Sequence, residues 1–148
     1  MDWSIELTQR KNVLSEPSAV SACATILLVE DDPPLLECTA ELLRYQGYAV
    51  IPARDAEEAL RVTQSGAAID VLFADLKLPG PMKGCQLATE IRQLRPALPV
   101  LLTSGNFACT SCVEQKDTIF LMKPYKFSEL EAALAKVLNR PQPYARPA

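Results

Sequence analysis

The sequence predicts an α/β protein with a doubly wound, five-stranded parallel sheet and helices on both faces. Two observations support this prediction. Five short apolar runs alternate with segments of helical periodicity along the chain, and such alternation is typical of parallel sheets whose connections are helices. The runs are also apolar at consecutive positions, which indicates strands that are buried on both faces.

Turn and capping residues set the bounds of these elements. The predicted strands span residues 25–29, 49–53, 69–74, 99–103 and 118–122. The predicted helices run from Pro33 to Gln46, between Asp55 and Gly66, from Gly84 to Arg95, and from Ser128 to Leu138. Two capping boxes, Asp55 with Glu58 and Ser128 with Glu131, mark helix starts. A fourth helix, within residues 105–117, is predicted to be short or irregular because that segment contains few good helix formers.

The regular pattern covers residues 25–140, which we predict to form one domain. Residues 1–24 show no sustained apolar period and are predicted to be an N-terminal tail. Residues 141–148 are rich in proline and are predicted to be an extended C-terminal tail.

Composition excludes several classes of function. The chain has 148 residues, with 15 Lys plus Arg against 18 Asp plus Glu, and this balance argues against a nucleic-acid-binding protein. Its apolar runs are far shorter than the ~18 residues of a membrane span. There is no histidine, which rules out histidine-based catalysis and histidine zinc sites.

The five cysteines indicate a reducing, cytoplasmic compartment, because an odd number in a chain with its own core does not suggest a disulfide framework. Cys23, Cys38 and Cys85 are predicted to be small buried hydrophobic residues. Cys109 and Cys112 have the C-x-x-C spacing of redox and metal sites. Because no second ligand pair accompanies them, we interpret the spacing as coincidental.

Charged and polar side chains follow four of the five predicted strands, directly where each strand ends. They are Glu30, Asp31 and Asp32 after the first strand, Asp75 after the third, Thr103 and Ser104 at the end of the fourth, and Lys123 after the fifth. The carboxyl ends of parallel strands lie at one edge of the sheet, and ligands bind there beside the point where strand order reverses. We therefore expect these groups to meet at one site.

The residue types in this set are those of phosphoryl transfer. Carboxylates without histidine or cysteine suit Mg²⁺, which also relieves the repulsion between them. A lysine and a hydroxyl can bind phosphoryl oxygens, and an aspartate can accept the phosphoryl group as a nucleophile. The chemistry requires in-line positioning and charge neutralisation, which this set can supply.

Four stretches of the chain resemble the receiver domain of two-component response regulators. They are residues 26–32, 72–80, 99–105 and 120–124. The resemblance extends over about residues 25–140. It implies a flavodoxin-like sheet with strand order 2-1-3-4-5 and a cis peptide bond before Pro124.

The resemblance also implies roles for individual residues at the phosphorylation site. Asp75 corresponds to the phosphoacceptor, and Lys123 to the lysine that pairs with the phosphoryl group. Ser104, rather than Thr103, corresponds to the switch hydroxyl. Phe120 matches the aromatic switch position, at which other receivers often have tyrosine.

The implied Mg²⁺ site consists of the carboxylates of Glu30, Asp31 and Asp75 together with the backbone carbonyl of Lys77. Asp32 lies just past the acidic pair of the family, and we expect it to cap the first helix instead.

The predicted function is therefore that of a receiver in a phosphorelay. A sensor histidine kinase or a histidine phosphotransfer protein donates the phosphoryl group, and the modified domain switches a protein-interaction surface. Such a domain is a self-phosphorylating switch and not a turnover enzyme. We expect a single-domain protein, monomeric or weakly dimeric, that acts on a downstream protein in trans.

Three alternatives remain at this point. A receiver-like interaction module that works without phosphorylation is the strongest of them, although no acidic or lysine position of the site is missing. An aspartyl-phosphate hydrolase requires a second aspartate where Lys77 stands. A flavin-binding protein of this topology requires a first loop that donates hydrogen bonds to phosphate, but here that loop is acidic.

Overall fold

The computed structural model describes residues 23–105 and 118–138, which form five parallel strands and four helices. The strands are β1 (Thr25–Val29), β2 (Ala49–Ala53), β3 (Val71–Asp75), β4 (Val100–Ser104) and β5 (Thr118–Met122). The helices are α1 (Pro33–Tyr45), α2 (Ala56–Gln64), α3 (Gly84–Leu94) and α4 (Phe127–Leu138). The predicted helix within residues 105–117 falls almost wholly outside the described residues, so α4 is the last helix of the predicted pattern.

The strand order is β2-β1-β3-β4-β5 and every pairing is parallel, which confirms the predicted doubly wound sheet. Side chains alternate between its two faces. Leu27 and Val29 of β1 pack in the core under α2 and α3, whereas Ile26 and Leu28 pack in the core under α1 and α4. Because both faces are covered, consecutive residues of a central strand are apolar.

The bounds of two strands differ from the prediction at both ends: β3 spans Val71–Asp75 instead of 69–74, and β4 spans Val100–Ser104 instead of 99–103. β3 begins at Val71, because the carboxylate of Asp70 accepts the N–H of Thr25 at 2.8 Å and its own N–H bonds the Thr25 carbonyl. Asp70 therefore lies immediately before β3, hydrogen-bonded to the first residue of β1. β4 extends to Ser104, whose carbonyl accepts the N–H of Lys123 at 2.9 Å.

Across residues 23–105 and 118–138, every helix falls short of the length and apolar character needed to cross a bilayer.

The predicted Asp55 cap is confirmed, although the Glu58 side chain accepts the N–H of Arg54 and not that of Asp55. The predicted capping box of Ser128 with Glu131 is wrong. The carboxylate of Asp55 accepts the N–H of Glu58 at 2.8 Å at the start of α2. At the last helix, Ser128 lies inside the first turn, since α4 begins at Phe127. The reciprocal bond there runs from the N–H of Lys126 to Glu129 Oε1, at 2.7 Å. The helix therefore starts earlier than the Ser-x-x-Glu pattern indicates.

The cysteine prediction is wrong for the described residues. Cys23 and Cys38 are exposed free thiols, and Cys85 is half-buried and disulfide-bonded. Cys38 is exposed because α1 turns Leu36 and Ala40 toward the sheet and leaves Cys38 in the open groove between α1 and α4. Cys109 and Cys112 lie outside the described residues.

Candidate functional site

The predicted site lies where the chain reverses direction across the sheet. After β1 the chain moves outward to β2 and then returns to β3 on the other side of β1. Glu30 follows β1, and Asp75 ends the neighbouring β3. A crevice at the carboxyl ends of such strands is the usual ligand site of this architecture.

The carboxylates of Glu30, Asp31 and Asp75 form an acidic cluster in which the three groups each offer an oxygen within 4.8 Å of the others. Glu30 and Asp75 are each only 9% exposed, whereas Asp31 is open to solvent. Three negative charges at this separation repel strongly. The cluster is therefore suited to a cation.

Lys123 supplies a fixed positive charge beside this cluster. Its Nζ lies 2.8 Å from Asp75 Oδ2 and 3.9 Å from Glu30 Oε1. Burial alone lowers the pKa of an ammonium, but the hydrogen bond and the charge of Asp75, with a contribution from Glu30, raise the pKa of Lys123 above its ordinary value. Lys123 therefore remains charged throughout the physiological range.

The two oxygens of Asp75 have separate partners. Oδ2 accepts from Lys123, and Oδ1 accepts the backbone N–H of Lys77 at 3.1 Å. The backbone of Asp75 is fixed as well, because this residue pairs with Thr103 in the sheet and the following N–H of Leu76 bonds the Thr103 carbonyl at 2.8 Å. This carboxylate is thus held in one orientation at the floor of the crevice.

Ser104 and Phe120, the two residues predicted to respond to phosphorylation, lie on neighbouring strands. Ser104 is the last residue of β4 and is 3% exposed. Phe120 lies in the middle of β5, half-buried and packed against the core under α2 and α3. The switching roles of both residues remain predictions.

Asp32 does not cap α1 as predicted. It occupies the N-cap position, but its side chain makes no capping hydrogen bond. The proline at N2, Pro34, lacks an N–H and so removes one of the two backbone donors that a capping carboxylate can bind. The N–H of Asp32 instead donates to Glu30 Oε2 at 3.2 Å, so its backbone helps to orient the acidic cluster.

The donor set fits Mg²⁺. It contains carboxylate oxygens only, two of the three groups are fixed by hydrogen bonds, and the exposed Asp31 leaves a side open to water. Magnesium favours a few carboxylates and keeps several waters. Glu30, Asp31 and Asp75 could hold the ion, and the backbone carbonyl of Lys77 follows directly in the chain.

Burial raises the pKa of Glu30 above its ordinary value of 4.5. The charges of Asp75 and Asp31 act in the same direction, while the Asp32 N–H and Lys123 oppose them. Because the folded state holds this proton more tightly than the unfolded chain, protonated Glu30 contributes stability that is lost as pH rises through its raised pKa.

We therefore expect Glu30→Gln to raise the free energy of unfolding of the metal-free protein at neutral pH. The gain over the parent should shrink as pH falls toward 4.5, where the parent carboxyl also becomes neutral. Urea denaturation in EDTA at several pH values measures this difference. A difference that is independent of pH contradicts the assignment. With saturating Mg²⁺ the sign should reverse, since ligand binding stabilises the parent.

Two residues near the site were not singled out from the sequence. Gly84 begins α3 directly against the backbone of Asp75 and Leu76. The only local sign of this close approach in the sequence is the glycine itself, because glycine is a poor helix former and yet starts a helix here. Tyr125 follows the cis peptide between Lys123 and Pro124, and burial raises its pKa. Nothing in its local sequence indicates this burial.

Comparison with known proteins agrees with this geometry. The family model described as "Response regulator receiver domain" matches residues 26–135. The chain is 32% identical over 123 residues to the transcriptional regulatory protein GlrR of Escherichia coli (strain K12), covering 81% of this chain and 27% of GlrR. It is 29% identical over 119 residues to the probable transcriptional regulatory protein TcrX of Mycobacterium tuberculosis, covering 78% of this chain and 50% of TcrX. The chain thus spans about a quarter to a half of these relatives.

Solved structures show the same likeness over nearly their whole length. The response regulator receiver protein from Sinorhizobium medicae WSM419 superimposes with a TM-score of 0.73 at 31% identity, covering 80% of this chain and 96% of that protein. A CheY-like receiver domain protein from Methanospirillum hungatei JF-1 gives a TM-score of 0.72 at 27% identity, with coverages of 80% and 95%. With the family model matching most of its length, the chain belongs to the response regulator receiver domain family.

Proposed function

We propose that this chain accepts a phosphoryl group on Asp75 from a histidine kinase or a histidine phosphotransfer protein. Receiver domains are phosphoacceptor switches that bind Mg²⁺ in an acidic pocket and interact with kinases and effectors. The observation that carries the proposal is the position of Asp75. It lies 2.8 Å from the Lys123 ammonium and shares the acidic cluster with two other carboxylates. A cytoplasmic location belongs to the same proposal.

The proposed step is an in-line displacement at phosphorus. An Asp75 carboxylate oxygen forms a P–O bond while the P–N bond of the donor phosphohistidine breaks, and the histidine nitrogen leaves with the electron pair. Mg²⁺, when bound by Glu30, Asp31, Asp75 and the Lys77 carbonyl, neutralises phosphoryl charge. Lys123 donates to the same group, and its raised pKa keeps that donor protonated.

The signal that results is a changed surface near β4 and β5. Phosphorylation adds charge and acceptor oxygens at the end of β3, which a hydroxyl at the end of β4 can bind. Ser104 is the residue proposed for this contact. Its movement allows Phe120, half-buried on the neighbouring strand, to turn inward and shift the population of the surface around it.

A beryllofluoride titration tests the proposal, since this anion mimics a phosphoryl group bound to a carboxylate. We expect saturable, Mg²⁺-dependent changes in the amide NMR signals of Leu76, Lys77 and Ser104. A native spectrum without any response would reject the proposal in favour of the phosphorylation-independent interaction module.

An apolar groove beside the site suggests where a phosphodonor binds. A cavity of about 570 Å³ lies between α1 and the start of α4. The residues that line it are Leu35, Cys38, Thr39, Leu42, Lys123, Pro124, Tyr125, Phe127 and Leu130. Leu35 and Leu42 are 39% and 43% exposed, so apolar surface is open to a partner next to the lysine that contacts Asp75.

We expect Leu42→Asp to slow phosphotransfer from the cognate kinase by about tenfold or more, because a charge would enter a desolvated interface. Phosphorylation by acetyl phosphate should be unchanged, since a small donor needs no groove. Leu94→Asp is the matched control, because Leu94 is 50% exposed on α3, away from the groove. If both variants are phosphorylated by the kinase at the parental rate, the groove is not the donor surface.

A further inference from the structure

Lys83 makes contacts that the phosphorylation site does not explain. It is the last residue of the connection between β3 and α3, residues 76–83, which we call the β3–α3 loop. Its ammonium donates to the carbonyl of Leu78 at 2.9 Å and to that of Gly80 at 3.2 Å. One side chain thus ties together the middle of the loop, where Gly80 turns the chain with a φ of +87°.

Lys83 is the N-cap residue of α3, a position that is unfavourable for a lysine. The N-cap of a helix is usually a residue whose side chain accepts hydrogen bonds from free N–H groups, and an ammonium has no acceptor. The helix macrodipole also disfavours a cation at the N-terminus. Half of the capping is supplied by Gln86, whose Oε1 accepts the N–H of Lys83 at 2.9 Å. The ammonium itself serves the loop and not the helix.

The loop that Lys83 holds begins at the phosphorylation site. The N–H of Lys77 donates to Asp75 Oδ1, and Leu76 is fixed on both sides by backbone bonds to Thr103 and Gly84. The carbonyl of Lys77 comes next along the chain after that of Leu76. The carbonyl after it, that of Leu78, accepts a hydrogen bond from Lys83. The carbonyls of Leu78 and Gly80 thus share one donor, the Lys83 ammonium.

We propose that Lys83 is a positioning residue for the metal site. By fixing the Leu78 and Gly80 carbonyls, it holds the β3–α3 loop in the conformation that presents the Lys77 carbonyl to the acidic cluster. The inference rests on the proposed function, in which that carbonyl binds Mg²⁺. Partners outside the immediate ligand shell of a metal commonly change affinity by at least about tenfold.

The sign of the effect separates positioning from simple electrostatics. Removing a positive charge near a cation site should strengthen Mg²⁺ binding if charge alone matters. If Lys83 positions the loop, Lys83→Met should weaken binding by about tenfold. Isothermal titration of the full chain with MgCl₂ measures the affinity, and Lys83→Arg, which can donate to both carbonyls, should restore most of it.

Two control variants separate this role from a looser helix start and from a change in surface charge. Gln86→Ala loosens the start of α3 but leaves the ammonium contacts, so it should bind Mg²⁺ like the parent. Lys136→Met removes an exposed lysine of α4 and should also leave the affinity unchanged. Parental or tighter binding by Lys83→Met, or an equal loss in Gln86→Ala, overturns the positioning role. A parent chain that fails to bind Mg²⁺ refutes the proposed function itself, and the Lys83 role with it.

Discussion

Asp75→Asn is expected to abolish phosphoryl acceptance completely. An amide oxygen is a much weaker nucleophile than a carboxylate oxygen. The substitution also removes one of the three negative groups of the acidic cluster. Incubation with acetyl phosphate and Mg²⁺, followed by intact-mass measurement, should show a phosphorylated species in the parent and none in the variant. The beryllofluoride response should disappear as well.

This loss should not be a consequence of misfolding. Asparagine has the shape of aspartate, and its Oδ1 can still accept the N–H of Lys77, which lies 3.1 Å from that atom in the parent. The Lys123 ammonium loses its charged partner but keeps Glu30 at 3.9 Å. We therefore expect the amide spectrum of the variant to show a native fold.

Asp32→Asn is the matched control for Asp75→Asn. Asp32 is exposed, precedes α1 and makes no capping bond through its side chain, so the variant should be phosphorylated like the parent. Phosphorylation of Asp75→Asn at the parental level contradicts the assignment of the acceptor. Loss of phosphorylation in Asp32→Asn places that carboxylate inside the site and requires a different ligand set.

The convergence of the site could be predicted from sequence because it depends on topology more than on side-chain detail. Asp31, Asp75 and Lys123 each follow an apolar run, and the parallel sheet brings the ends of these runs to one edge. The distances between them follow from strand spacing and from the reversal of strand order. A contact such as that between Lys123 and Asp75 therefore follows from topology, whatever the side-chain rotamers.

Other features were not predicted because they depend on the local path of the backbone, which residue types alone do not fix. Asp32 has the right residue type for a cap, yet its side chain makes no capping bond, and Pro34 removes one of the two N–H groups that it could bind. Ser128 and Glu131 match a capping pattern, but the backbone enters the helix at Phe127. The Lys83 contacts depend on how the loop folds back on itself. Periodicity carries no information about such loop geometry.

Gly84→Ala is expected to destabilise the protein by about 1–3 kcal/mol, the usual cost of overpacking. A Cβ at this position would lie 2.5 Å from the Asp75 carbonyl oxygen and 2.8 Å from Leu76 Cα. These are backbone atoms at the end of β3 and just after it, where Asp75 pairs with Thr103 and the Leu76 N–H bonds the Thr103 carbonyl. They cannot move aside as a flexible side chain can. Helix propensity predicts the opposite sign, since alanine is a better helix former than glycine by about 1 kcal/mol.

The same displacement should reach the metal site, because the atoms that a Cβ pushes belong to Asp75 and to the residue before Lys77. We expect weaker Mg²⁺ binding together with a lower urea midpoint, and a larger loss of both in Gly84→Val. Gly105→Ala is the control, since its Cβ meets nothing within 4 Å and its stability should match the parent. If Gly84→Ala is as stable as the parent and binds Mg²⁺ equally well, then α3 can move away from β3 without disturbing Asp75. The close approach of that helix would then have no part in holding the carboxylate in place.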